Sequence, residues 1–220
     1  MKKTFLAVSI LSAFYFAGCE ELTDPDAGVD SEITAKEKVD DVLQKARLDF
    51  ATDAKLSAIY GWSVDLLGSI DLLQTDNAFV YVVQSNNLQS NEFYVPVFAA
   101  GPVKSPINFT NMLSFIKDTT AGNILGKAFN RLATLAIDPN ANYKDSPATI
   151  DTALVHGGNV FISQNAGSKV DMFLLPSKSI DTTLALNNSA DLIVNFYSSN
   201  KSLVLWINSN SGVVTKLSGN

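Results

Sequence analysis

Five runs of β-branched and aromatic residues dominate what this chain can become. They are FVYVVQS (79–85), FYVPVFAA (93–100), KVDMFLL (169–175), DLIVNFYSS (191–199) and SLVLWINS (202–209). Each has strand length and is flanked or ended by polar or turn residues. A sixth, KLSAIYGWSVD (55–65), alternates in the same manner. The polar turn NNLQSNE joins the first two runs, so those two strands form a hairpin. Pro96 has no N–H, which makes its strand an edge or turns that position outward.

Helical spacing fills the gaps. Ala35, Val39, Val42, Ala46 and Phe50 recur every three or four residues across 33–54, with Ser31 as the candidate cap. Ile124, Leu125, Ala128, Phe129, Leu132, Leu135 and Ala136 form one face of a second helical region. Ser146 and Pro147 open a third as N-cap and first-turn pair, running through Ile150, Ala153, Leu154, Gly157, Val160 and Phe161. Gly157 and Gly158 each weaken that helix by about 1 kcal/mol relative to Ala. They are tolerable where another element packs closely.

The chain has one cysteine, Cys19. No disulfide can staple the fold, so packing alone must hold it, and 46% hydrophobic residues suffice for that. Before Cys19 comes an apolar or small-residue run, 5–16, led by Lys2 and Lys3. It falls short of the roughly 20 residues that span a bilayer and reads as a secretory signal over 1–18. Phe16-Ala17-Gly18-Cys19 resembles the lipobox of bacterial lipoproteins, with Phe16 where Leu is usual. That resemblance implies cleavage before Cys19, diacylglycerol on its sulfur, and anchoring to a membrane of the cell envelope, on the periplasmic or cell-surface side. Residues 19–32 are acidic and broken by Pro25 and Gly28, which predicts a solvated tether. Its acids Asp24, Asp26, Asp30 and Glu32 read as linker charges.

Loss of the signal removes Lys2 and Lys3, leaving 14 basic against 22 acidic groups and a formal charge of −8. Such a chain has no general attraction to nucleic acid or anionic lipid.

The order helix, strands, helical bridge, helix, strands suggests a duplication. Phe79 to Val83 matches Leu192 to Phe196 at a shift of 113. The predicted fold is α+β, with two repeats of helix plus antiparallel sheet, 33–106 and 146–220. Their helices lie on one face, and a helical bridge, 107–145, joins them. The layout, with LVLWINSNSGVVTK as a final strand and turn, resembles tandem PepSY-type modules and the β-lactamase inhibitor protein. That resemblance implies helices on one face of the sheet, an open opposite face, and members that are exported and bind or inhibit other proteins.

Catalytic signatures are missing from the sequence. There is one histidine, His156, expected as a partly buried structural residue, and no set of zinc ligands. No G-x-S-x-G, P-loop or G-x-G-x-x-G stretch occurs. Asp138, Asn140 and Asn142 begin a calcium-loop pattern. It then fails, because Tyr143 stands at the glycine position and Thr149 at the bidentate glutamate position. Asn, Asp and Pro are equally turn residues.

The sequence therefore predicts an exported, lipid-anchored binding module for a protein or peptide partner in the envelope, with no cofactor and no catalytic residues. The alternatives are a structural or envelope-assembly lipoprotein without a discrete site, and a carboxylate-based hydrolase. Strand alternation puts Phe93, Val95 and Val97 on the helix side. The open side then carries Tyr94, Phe98, Tyr197 and Trp206, aromatic anchors of the kind that dominate binding interfaces.

Overall fold

The computed structural model describes residues 31–220 except 115, 117, 182–188, 210 and 220. Cys19, the signal and tether residues 19–30 lie outside the described residues.

The chain runs β1 (Glu32–Ile33), α1 (Val39–Asp49), β2 (Lys55–Trp62), β3 (Ile70–Asp71), β4 (Ala78–Ser85), β5 (Ser90–Val97) and β6 (Gly101–Lys104). Then come α2 (Phe109–Ser114), α3 (Thr119–Phe129), α4 (Ser146–Ala153), a kinked connection (Leu154–Gly158) and α5 (Asn159–Gln164). It closes with β7 (Lys169–Pro176), α6 (Ser177–Ile180), β8 (Ala190–Tyr197), β9 (Ser202–Ile207) and β10 (Val214–Gly219). β1 pairs with β3. The other eight strands form one antiparallel sheet in the order β10-β9-β8-β7-β2-β4-β5-β6.

This overturns the expected pair of helix-plus-sheet repeats with helices on one face. One sheet passes through both halves, because β2 pairs with β7 through Ile59↔Leu174, Tyr60↔Phe173 and Gly61↔Met172. Helices also cover both faces. Val42 and Ala46 of α1, Ile150 and Ala153 of α4 and Phe161 of α5 pack with Phe79, Tyr81, Leu192 and Phe196. On the alternate strand positions, Tyr60, Val80, Val82, Phe173 and Ile193 pack with Met112 of α2 and Leu125, Ala128 and Phe129 of α3. The reason lies in the strands themselves. β4, β7 and β8 are apolar at nearly every position and buried along almost their whole length. Strands of that kind need cover on both faces. The segment expected as a bridge supplies the second cover.

The helix starts also shift. α1 begins at Val39 after Lys38, without a side-chain cap. Ser31 instead offers its carbonyl to the Leu72 N–H at 2.9 Å, and Glu32, the last residue of the expected tether, pairs with Asp71. The cap of α4 is Asp145, whose carboxylate accepts from the Ser146 N–H. Ser146 Oγ accepts from the Ala35 N–H at 2.9 Å, fixing the entry to α1. The helix is broken by a kink at His156 and Gly157, whose backbones are not helical, and the kink has a packing cause. A Cβ at Gly158 would come 2.5 Å from Phe196 Cζ, and Gly157 takes φ 117°. The break between α4 and α5 falls where the backbone comes against the sheet.

β5 sits one residue away from the expected register. Its loop is only residues 86–89, so Ser85 opposes Ser90 and Tyr81 opposes Tyr94. A slip of one exchanges the two faces of a strand. Tyr94 therefore packs on the α1 side, while Phe93 and Val95 pack on the α3 side. Pro96 is accommodated because the ladder with β4 stops at Tyr94 and Pro102 of β6 stands opposite. The edge is β6, short and carrying Pro102 and Lys104, which discourages further pairing. Among the described residues no helix is long and apolar enough to cross a membrane.

Candidate functional site

The four expected contact residues do not share a surface. Tyr94 is fully buried. Phe98 is half-buried just past the end of β5. Tyr197 is half-buried at the end of β8, and its hydroxyl reaches Asp171 Oδ1 at 3.4 Å. Trp206 is half-buried, and its Nε1 donates to Asp191 Oδ2 at 3.0 Å. With Ile124, Ile180 and Leu217 it lines a shallow cavity of about 340 Å³. His156 is exposed rather than partly buried. It sits at the kink between α4 and α5, its Nδ1 lying 2.7 Å from the Thr152 carbonyl. Asp138 Oδ1 accepts from the Asn140 N–H at 2.8 Å, a local turn that accounts for the D-x-N spacing. Asn140 and Asn142 are exposed. Among the described residues no group of three His, Cys, Asp or Glu side chains could hold a metal ion.

A different set of residues converges at the end of the sheet where β2 begins. The β2 register steps from Leu56↔Val83 to Ala58↔Val82, leaving Ser57 as a bulge. Bulges re-aim side chains, and Ser57 Oγ lies 2.8 Å from the Leu132 carbonyl and 2.6 Å from that of Leu135. The Ile137 N–H donates to the Leu56 carbonyl at 2.8 Å. These bonds pin the segment after α3 across the start of β2. Between that segment, β4 and the end of β7 lies a cleft of about 370 Å³.

Gln84 and Lys55 are direct cross-strand partners lining this cleft. Lys178, on α6 just after β7 ends, lines it from the other side. Leu135, Ile137, Pro139 and Pro176 supply apolar wall. Gln84 is only 1% exposed, and its Oε1 has no hydrogen-bond partner among the described residues. An acceptor left so costs about 1–3 kcal/mol. Tyr94 Oη and Asn195 Oδ1 are also unpartnered but do not line the cleft. The ion pairs among the described residues join Lys38 to Glu37, Lys45 to Asp49 and Lys104 to Glu92. Lys55 and Lys178 belong to none of them. The acid in the cleft is Asp138, with one oxygen held by Asn140. Two ammonium groups, an amide and an apolar wall can grip an anion that carries a neighbouring polar group and an apolar part.

A buried polar cluster occupies the opposite end of the same strands. Asp171 is fully buried. It accepts from the Ser63 N–H at 2.9 Å, from Tyr60 Oη at 3.2 Å and from Tyr197 Oη at 3.4 Å. Burial pushes its carboxyl up to about 6, against the pull of those three bonds. Burial and then the Asp171 charge push Tyr197 up to about 12, and both raise Tyr60 as well. This cluster ties the start of β7 to the ends of β2 and β8.

No local pattern in the sequence singles out Lys55 or Lys178. Gln84 is different: it follows directly on the apolar run FVYVV, a polar residue in a strand that is mostly core. No family model, curated protein or solved structure matches the chain.

Proposed function

We propose that this protein is an exported, lipid-anchored binding module whose ligand site is the cleft between Lys55, Gln84 and Lys178. One observation carries the reading. A buried amide whose oxygen has no partner among the described residues lines a cleft together with two lysines that join no ion pair among those residues, and each of these groups gains from a ligand. The anchor rests on the block Phe16-Ala17-Gly18-Cys19, which resembles a lipobox. Stable anchoring needs more than one acyl chain, since each buried CH₂ adds only about 0.8 kcal/mol. The acidic residues after Cys19 then hold the module off the membrane.

The binding half of the reading is tested by thermal melting of the full-length protein with and without a peptide-rich extract of the envelope. A ligand specific for the folded state raises the melting temperature by mass action. Wild type should shift upward, and a Lys55→Met/Lys178→Met variant should not. Equal shifts, or none, would remove the cleft from the reading. The anchor half is tested by metabolic labelling with a fatty-acid analogue. Wild type should carry label and sediment with membranes, and Cys19→Ala should do neither. Equal label in both would contradict the anchor.

A further inference from the structure

We infer that the cleft recognises the C-terminal carboxylate of a peptide ending in an apolar residue, an inference that rests on the cleft being the binding site. Three observations converge on that chemistry. Lys55 and Lys178 line the cleft and are in no ion pair among the described residues, so an anion gains two ammonium partners. Gln84 stands directly across from Lys55, which brings their Cβ atoms within about 5.5 Å. Its amide lies at the cleft floor beside that lysine, 1% exposed, with Oε1 shielded from solvent and without a donor among the described residues. A peptide C-terminus carries, next to its carboxylate, an amide with both a donor and an acceptor, and a rotation of the Gln84 side chain lets its oxygen accept from that N–H. Leu135, Ile137 and Pro139 then face the last side chain, which favours an apolar residue over a sugar or a bare inorganic ion. The cleft volume, about 370 Å³, suits one or two residues rather than a long segment. Asp138 at the same cleft repels a second negative charge, which fits a single carboxylate better than a doubly charged phosphate.

The test uses full-length protein in detergent and a fluorescent peptide, Gly-Ser-Ala-Ala-Leu, labelled at its N-terminus, with anisotropy as the readout. The free acid should bind and saturate. The same peptide with a C-terminal amide should bind at least about tenfold less tightly, because the lysines lose their partner. Lys55→Met/Lys178→Met should weaken the acid by a similar factor while its melting temperature stays near that of wild type. Binding should also weaken as salt rises. Acid and amide binding alike, displacement of the peptide by an equal concentration of inorganic phosphate, or no binding of either peptide would each overturn the inference. The envelope-extract melts separate the two failures. If the extract still stabilises wild type and not the lysine variant, the cleft binds something else. If the extract also has no effect, the cleft reading falls with it.

Discussion

Asp171 and Gln84 are both buried polar residues on the core strands, and they differ in one respect. Asp171 accepts three hydrogen bonds, while Gln84 Oε1 accepts none among the described residues. The first is built to hold the fold, and its titration follows from that. Burial raises its carboxyl from an ordinary 3.8 to about 6. Between those values the folded protein keeps a proton that the unfolded chain releases. Stability from this group is thus fully present below about pH 4 and is lost as pH rises through 6, by about 3 kcal/mol in all at 1.36 kcal/mol per unit. Asp118 is held below its ordinary value, its burial outweighed by hydrogen bonds led by the Ala121 N–H, and adds a pH dependence of its own, so the comparison must be a difference. Urea unfolding of wild type and Asp171→Asn at pH 4 and pH 7 should show the advantage of wild type shrinking by most of that, about 2 kcal/mol, over the span. Parallel pH profiles would mean that Asp171 ionises normally in the folded state.

At the scale of elements, much of the sheet was legible and its covering was not. The strands from 79 to 85, 169 to 175 and 191 to 197 sit where β-branched and aromatic runs place them, because such runs suit little else. Their apolar continuity also held the clue that both faces are buried. Met172, Phe173, Leu174 and Leu175 in succession leave no polar face to expose. The expected open face came from treating these strands as alternating. It left 107–145 as a bridge between two repeats, whereas Met112, Leu125 and Phe129 of that segment pack on the sheet. The β5 register failed for a local reason. NNLQSNE reads as one long turn, yet the strand resumes at Ser90, and aromatics on both faces of β5 gave no pattern to correct the slip. Gly157 and Gly158 were legible as a close approach, but the chain far away at Phe196 that makes it necessary was not. The cleft could not be foreseen at all. It depends on a bulge at Ser57 and on a loop tied to it from some 75 positions further on, and no local pattern encodes either.

At the scale of the whole molecule, one continuous sheet with helices on both faces leaves few places for a ligand to enter. The proposed entry is at one end, where β2 starts and β7 ends, and the enclosed polar cluster of Asp171 is at the other. A hydrogen-bonded Asp171 end and an incompletely satisfied cleft at the Gln84 end form one arrangement, in which Gln84 is kept for binding at some expense to stability. Leu has a similar shape and no acceptor to leave unpaired, so Gln84→Leu separates the two roles. Melting and peptide or extract binding measured on this one full-length variant test the claim most directly. Gln84→Leu should give a fold more stable by about 1–2 kcal/mol, since an unpaired buried acceptor is removed, together with loss of binding. A variant that is less stable by that amount or more and still binds as wild type does would contradict it.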